Sequence, residues 1–279
     1  MSRSKPKFTS HPRLGCAIRC AMGRALSICF LSCLACGVPA LAQVKPDCGG
    51  LPDGGRLKSV LQGVVHEGAA KNGGLGNQEW AALVNRDGVV CSIVYSGTTR
   101  ADQWPGSRVI AASKASTANG LSGRDYALST ANVFAASQPG QSLYSLATSQ
   151  PPNQEAMFGD PATFGTPSDP MIGKAIGGII VFGGGLALYA QDGRLIGGIG
   201  LSGDTSCTDH VIAWKVRHQL DLDAVPMGPS PEHNDNMILD WQNNASPSGF
   251  GHPSCKGGTA ADFIIRDLSK QIPTGPRKR

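Results

Sequence analysis

The densest run of residues able to do chemistry lies between Gly193 and Leu220, GRLIGGIGLSGDTSCTDHVIAWKVRHQL. Gly198, Gly200 and Gly203 spell G-x-G-x-x-G there, after a strand-like run and before a helix-like one that carries Asp209 and His210. A dinucleotide cradle needs this motif inside a strand–helix–strand unit with parallel strands. Here the preceding strand is reached through Asp192-Gly193, a hairpin signal that makes it antiparallel to its neighbour. Residues 226–258 read as loop, so no second strand follows, and nucleotide binding is set aside. Two readings remain. Glycines at 197, 198 and 200 let another backbone or a flat ligand approach a strand closely. The turn Gly203-Asp204-Thr205-Ser206 then aims free N–H groups of a helix start at the same spot, which suits a carboxylate. The plainer alternative is strand–helix packing followed by an N-cap.

Cysteines offer a second chemistry. Cys29-x-x-x-Cys33-x-x-Cys36 has an iron–sulfur spacing, but it falls inside an apolar export core where no folded cluster survives. Cys48, Cys91, Cys207 and Cys255 remain, an even number that suggests disulfides with three pairings open. None of the four forms C-x-x-C, which argues against zinc or thioredoxin-like chemistry. Neither G-x-S-x-G nor H-E-x-x-H occurs, so hydrolase readings find no support.

Residues 1–42 read as an export signal. Six basic residues and no acidic one lie in 1–24, an apolar run spans Ala25 to Cys36, and Ala40-Leu41-Ala42 offers small residues for cleavage. The apolar core of about 12 residues is too short to span a bilayer as a helix. Losing those six from 25 basic residues against 20 acidic ones takes the formal net charge from +5 to −1. The apparent basicity is thus no argument for nucleic acid. Residues 43–226 form the expected domain, and 227–279 an irregular tail ending in the basic knot Arg277-Lys278-Arg279.

Periodicity predicts a helix over Leu57 to Ala70 and a hairpin of Trp80–Val84 with Val89–Tyr95. It predicts helices from Ser107 to Asn119 and Tyr126 to Ala136, then a Pro/Gly-rich surface flap over 149–173. A meander of Gly178–Phe182, Leu186–Ala190 and Leu195–Leu201 follows, then a helix from Thr208 to Leu220 and a short one at Ala261–Leu268. That order describes an α+β fold, an antiparallel sheet with helices packed on it.

Three stretches within 57–222 resemble the GlcG/HbpS-like haem-degrading domain family. They are Ala112-Ser113-Lys114-Ala115-Ser116-Thr117-Ala118, Phe182-Gly183-Gly184-Gly185-Leu186-Ala187-Leu188, and Gly197 to Thr205 (GGIGLSGDT) followed by Asp209. The resemblance implies a profilin-like α+β fold and homo-oligomers with ligands at subunit interfaces, the ligands being haem, corrinoids or others. Asp204 stands where the family usually has glycine, and the 149–173 loop and the tail are additions.

Haem iron is held by His, Met, Cys or Tyr. Candidate metal ligands are His66, beside Glu67 late on the first helix; His210, with Asp209 to orient its ring; and His252, in the island Gly249 to Cys255. Each also has an ordinary reading, His66 as a surface residue above all. His210 and His218 are eight residues apart, about 12 Å on one helix, and do not share a metal. A Cys207–Cys255 disulfide would bring His252 beside His210. Arg108 and Lys114 are candidates for propionates, and Trp104, Phe182 and Trp214 for stacking on the macrocycle. Together with Gly184, Gly200, Gly203, Asp204 and Asp209, these make up the expected cofactor site. The expectation is a periplasmic or secreted haem- or tetrapyrrole-binding protein, with haem degradation as a further step. The alternatives are a metal-free enzyme or accessory factor for a small carboxylate at the glycine turn, and a secreted protein-interaction module.

Overall fold

The computed structural model describes residues 47–255 and 260–276. The export signal, its cysteine spacing and the terminal basic knot lie outside the described residues. Helix α1 (Gly54–Val65) starts where the Asp53 carboxylate accepts from the Arg56 N–H at 2.8 Å and buries Leu57, Leu61, Val64 and Val65. It ends well before Ala70, because Gly68 takes φ +76° and a separate single turn follows at Ala69–Asn72.

Strands β1 (Trp80–Asn85) and β2 (Val90–Tyr95) form the expected hairpin, with Gly88 at φ +77° in its turn. Helix α2 (Ser107–Leu121) follows, then β3 (Gly185–Tyr189), β4 (Leu195–Ser202), α3 (Ser206–Gln219) and α4 (Ala261–Gln271). All neighbours in the sheet are antiparallel, in the order β2-β1-β4-β3. Helices α1, α3 and α4 cover one face over a core including Leu83, Leu186, Ile199 and Trp214. Helix α2 covers the other over Trp80, Ala82, Ile93 and Ala111. This is the α+β layout expected. Among the described residues no helix is long and apolar enough to cross a membrane.

Four further expectations change. Gly178–Phe182 is no strand: Gly177 and Gly178 have positive φ, and the Ile180 N–H donates to the Thr117 hydroxyl at 3.0 Å rather than to a ladder. Tyr126–Ala136 is no continuous helix. It holds two single turns, Thr130–Val133 and Phe134–Ser137, because Ser129 and Asn132 close a capping box at 129. The segment 149–173 is pinned down rather than free to flap: the Arg108 guanidinium forks onto the Asp169 carboxylate and donates to the Met157 carbonyl at 2.8 Å. Its Ala156 and Met171 are fully buried. The tail also packs down. Asp235 takes a bidentate pair from Arg217 at 2.6 and 2.8 Å, and both side chains are fully buried. Disulfides join Cys48 to Cys91 and Cys207 to Cys255.

Candidate functional site

The glycine strand is closed by the protein itself. A Cβ on Gly200 would lie 2.5 Å from the Ala115 backbone nitrogen and nearer still to the Ala111 carbonyl of α2. Gly198 meets the Ala115 carbonyl and the Asn119 Cβ in the same way. These glycines let α2 sit directly on β4, so no flat guest shares that face. Gly203 is equally tight, its pro-Cβ space taken by Gln78 and Glu79. Strand–helix packing is the reading the coordinates take.

The start of α3 is likewise satisfied from within. Asp209 Oδ1 accepts the Gly203 and Asp204 N–H groups at 3.2 and 2.9 Å, and Thr205 caps Thr208 at 3.3 Å. The Asp204 carboxylate accepts from the Leu75, Asn77 and Thr205 N–H groups at 2.9, 3.0 and 2.6 Å. The N–H groups of the turn expected to hold a foreign carboxylate are taken by the chain's own aspartates, which removes the basis for a small-acid site at this turn.

Sequence reasoning grouped the right residues but as an open site. Lys114, Phe182, Gly184, Gly200, Gly203 and Asp209 do converge, in a sealed knot between α2, β4 and α3. The fully buried Lys114 ammonium donates to Asp209 Oδ2 at 2.5 Å and to the Leu201 carbonyl at 2.8 Å, with the Phe182 ring centroid 4.8 Å away. Gly184, at φ +111°, is required there, since a Cβ would stand 2.8 Å from the Lys114 nitrogen. Lys114 is thus committed to an internal pair rather than to a propionate, and Arg108, paired with Asp169, is too.

The member that sequence reasoning missed is Glu79. It is fully buried, and neither carboxyl oxygen meets a donor from elsewhere in the chain. Burial first and then the Asp209 charge push its pKa well above the usual carboxylate range, so it carries a proton and faces Asp209. Burial raises Asp209 as well, but the Lys114 ammonium and two N–H donors make it the partner that keeps the charge. An acidic residue at the head of the apolar run Trp80–Val84 was the only signal in the sequence.

The histidines separate by exposure. His210 is fully buried, its Nε2 accepting from the Met237 N–H at 3.1 Å, and burial lowers its pKa to about 4. His252 is buried against Phe134, and burial lowers it to about 4 as well. Both rings lie inside the fold, His210 at 0% and His252 at 2% exposure. Trp214, offered for stacking, is core, with its indole N–H on the Ile272 carbonyl at 3.0 Å.

These two shifts fix a pH dependence. Both rings take up protons in the unfolded chain near pH 6.5 and refuse them in the folded one until about pH 4. Their contribution is therefore complete above pH 6.5 and is lost as pH falls toward 4, on the order of 3 kcal/mol each. Glu79 acts in the opposite sense, since its folded-state proton costs stability as pH rises above 4.5. Asp209, raised by burial too, acts in the same sense as Glu79, so the imidazole contribution is read by comparison with His210→Gln: the variant loses less melting temperature than the wild type between pH 7 and pH 4.5, and equal losses contradict the burial of this imidazole.

His66 differs from the other candidates: it is exposed at the C-terminal cap of α1. Gly55, Lys58, Gln62 and His66 recur every three or four residues and form one stripe facing the seam between α1 and edge strand β2. Along that seam lies an open cleft of about 660 Å³ lined by Gly55, Lys58, Ile93, Val94, Tyr95 and Ile172. Its walls are mostly apolar. The Lys58 ammonium sits 4.6 Å from the Tyr95 ring centroid, and Tyr95 stacks edge-on to Trp80 at 5.2 Å. Beyond the Gln62–Ser96 hydrogen bond at 3.0 Å, the seam continues into a hollow of about 240 Å³ at His66, Gln78 and Gly97.

Among solved structures, the chain is similar to that of Klebsiella pneumoniae protein ORFY, with 22% identity, TM-score 0.40, and coverage of 59% of this chain and 87% of that one. It is also similar to the PduOC:Heme complex, with 22% identity, TM-score 0.39, and coverage of 58% and 88%. No curated protein matches it in sequence. The family model described as haem degrading protein HbpS-like matches residues 84–217, from the end of β1 into α3.

Proposed function

We propose that the chain binds a tetrapyrrole, haem in the case the family match favours, along the α1–β2 seam. The observation that carries this reading is the apolar cleft of about 660 Å³ with one cation, Lys58, beside it and one exposed imidazole, His66, on the same helix stripe. Lys58 and His66 are eight residues apart, about 12 Å along α1, which separates a propionate partner from an iron ligand by roughly the reach of a macrocycle. Ile93, Val94 and Tyr95 would supply the apolar floor, Lys58 a charge-assisted bond to a carboxylate, and His66 an imidazole nitrogen for the iron. Bound haem supplies iron redox chemistry; these residues hold and orient it.

Two disulfides support an oxidising compartment for the mature chain, as export would provide.

The test is a hemin titration read at the Soret band. One equivalent per chain is expected. His66→Ala shifts or abolishes the band, and Lys58→Glu weakens binding by about tenfold or more, the value of a charged hydrogen bond. Wild-type titrations from both variants, or no band at all, defeat the proposal.

A further inference from the structure

The Cys207–Cys255 corner holds more than a covalent staple. The two sulfurs and a ring nitrogen of His252 all lie within 4.8 Å of one another, although the cysteines are 48 residues apart. The absence of C-x-x-C, which argues against zinc in one dimension, does not bear on ligands assembled from the start of α3 and the strap 249–255. We propose that opening this disulfide creates a Zn²⁺ site made of Cys207, Cys255 and His252, so that the corner alternates between a disulfide and a metal-bound dithiolate.

The His252 ring is already set for a metal. Its Nδ1 lies 2.7 Å from the Pro253 carbonyl, a contact that puts the proton on Nδ1 and leaves the Nε2 lone pair free. Metal-bound histidines are oriented by this kind of outer hydrogen bond. Nε2 looks toward the Ser206 hydroxyl at 3.4 Å, and that hydroxyl is 3.4 Å from Cys255 Sγ. A fourth donor stands at the edge: Asp262 Oδ1 is 3.5 Å from Cys207 Sγ and is held by the Cys255 N–H at 3.1 Å, while the Ser254 hydroxyl holds its other oxygen. Two sulfurs, one imidazole and one carboxylate are a donor set that Zn²⁺ takes tetrahedrally. With Zn–S bonds near 2.3 Å the released sulfurs part to about 3.8 Å, a local movement.

The corner does not depend on the disulfide for its place. The His252 N–H donates to the Ile238 carbonyl at 2.7 Å, Ile265 and Leu268 of α4 are buried in the core, and Arg217 anchors Asp235. Cys255 is half-buried, which gives a reductant one sulfur to attack. A dithiol supplies the two electrons and two protons: the Cys207–Cys255 bond breaks, two thiols form, and the dithiol leaves as its own disulfide. Zinc then displaces both thiol protons to solvent. Among the described residues this is the cluster of three such donors, and the Cys48–Cys91 bridge has no comparable neighbours.

The experiment reduces the full chain with a phosphine, adds Zn²⁺, removes unbound metal and measures zinc per chain. About one zinc is expected on the reduced protein and none on the oxidised one. The Cys48→Ser/Cys91→Ser variant keeps that zinc. His252→Ala still forms the disulfide in air, which reports its fold, yet loses zinc affinity by about 100-fold or more, beyond the 10–100-fold effect of an outer-shell partner. Co²⁺ substituted into reduced wild-type protein gives thiolate charge-transfer absorption. A reduced chain without zinc or that absorption, or a His252→Ala variant binding as wild type does, overturns the proposal.

Discussion

Asp209→Ala lowers the stability of the fold by about 3–5 kcal/mol, read as a fall in melting temperature of roughly 6–20 °C. The Lys114 ammonium has no access to water, and its remaining partner after the change is one carbonyl, that of Leu201 at 2.8 Å. A buried charge left in that state costs far more than the pair contributes when whole. Glu79 makes the outcome non-additive. Its carboxyl, protonated beside Asp209, is the nearest replacement counter-ion and gives up its proton when Asp209 is gone. Glu79→Gln alone, an isosteric swap of one proton-bearing group for another, changes stability by about 1 kcal/mol or less. Placed on top of Asp209→Ala it removes the replacement, and the double variant loses more than the two single losses combined. Denaturant melts of the four proteins measure this directly; additivity means that the two carboxyls do not share the ammonium.

Gly200→Val costs about 3 kcal/mol or more, at or beyond the usual range for overpacking, because what it strikes is backbone. The Ala111 carbonyl and the Ala115 nitrogen of α2 occupy the space its side chain needs, so α2 has to lift off β4 along its length. Gly120, in the last turn of the same helix, is the control. Nothing lies within 4 Å of a Cβ built there. Gly120→Ala therefore stabilises by about 0.5–1 kcal/mol, since it removes only chain entropy from the unfolded state. Opposite signs from two glycines eighty residues apart separate close packing from conformational freedom; equal effects contradict the packing assigned to Gly200.

Much of this was legible before any coordinates. Short apolar runs at Trp80 and Leu195, with Asp-Gly between strands, marked the sheet because hairpin turns are local properties. The run Gly178–Phe182 misled because apolar content alone does not distinguish a strand from an extended segment that bonds to the Thr117 hydroxyl. The glycines at 197, 198 and 200 were correctly seen as points of close approach, but the sequence does not name the approaching group, and here it is β1 at Gly197 and α2 at Gly198 and Gly200. Lys114 and Asp209 were picked out 95 residues apart, yet whether a charged pair faces solvent or its own fold is decided by packing. Lys58 and Tyr95 went unread, although the stripe Gly55, Lys58, Gln62, His66 was visible at helical spacing. Its meaning depends on β2 being an edge strand, which follows only from the order β2-β1-β4-β3.

The placement of the ligand is tested most directly by amide hydrogen exchange of the full chain with and without one equivalent of hemin. Slower exchange is expected in residues 54–66 and 91–97, on the two sides of the seam. Protection confined to 197–210, with the seam unchanged, would contradict the account and return the ligand to the glycine turn.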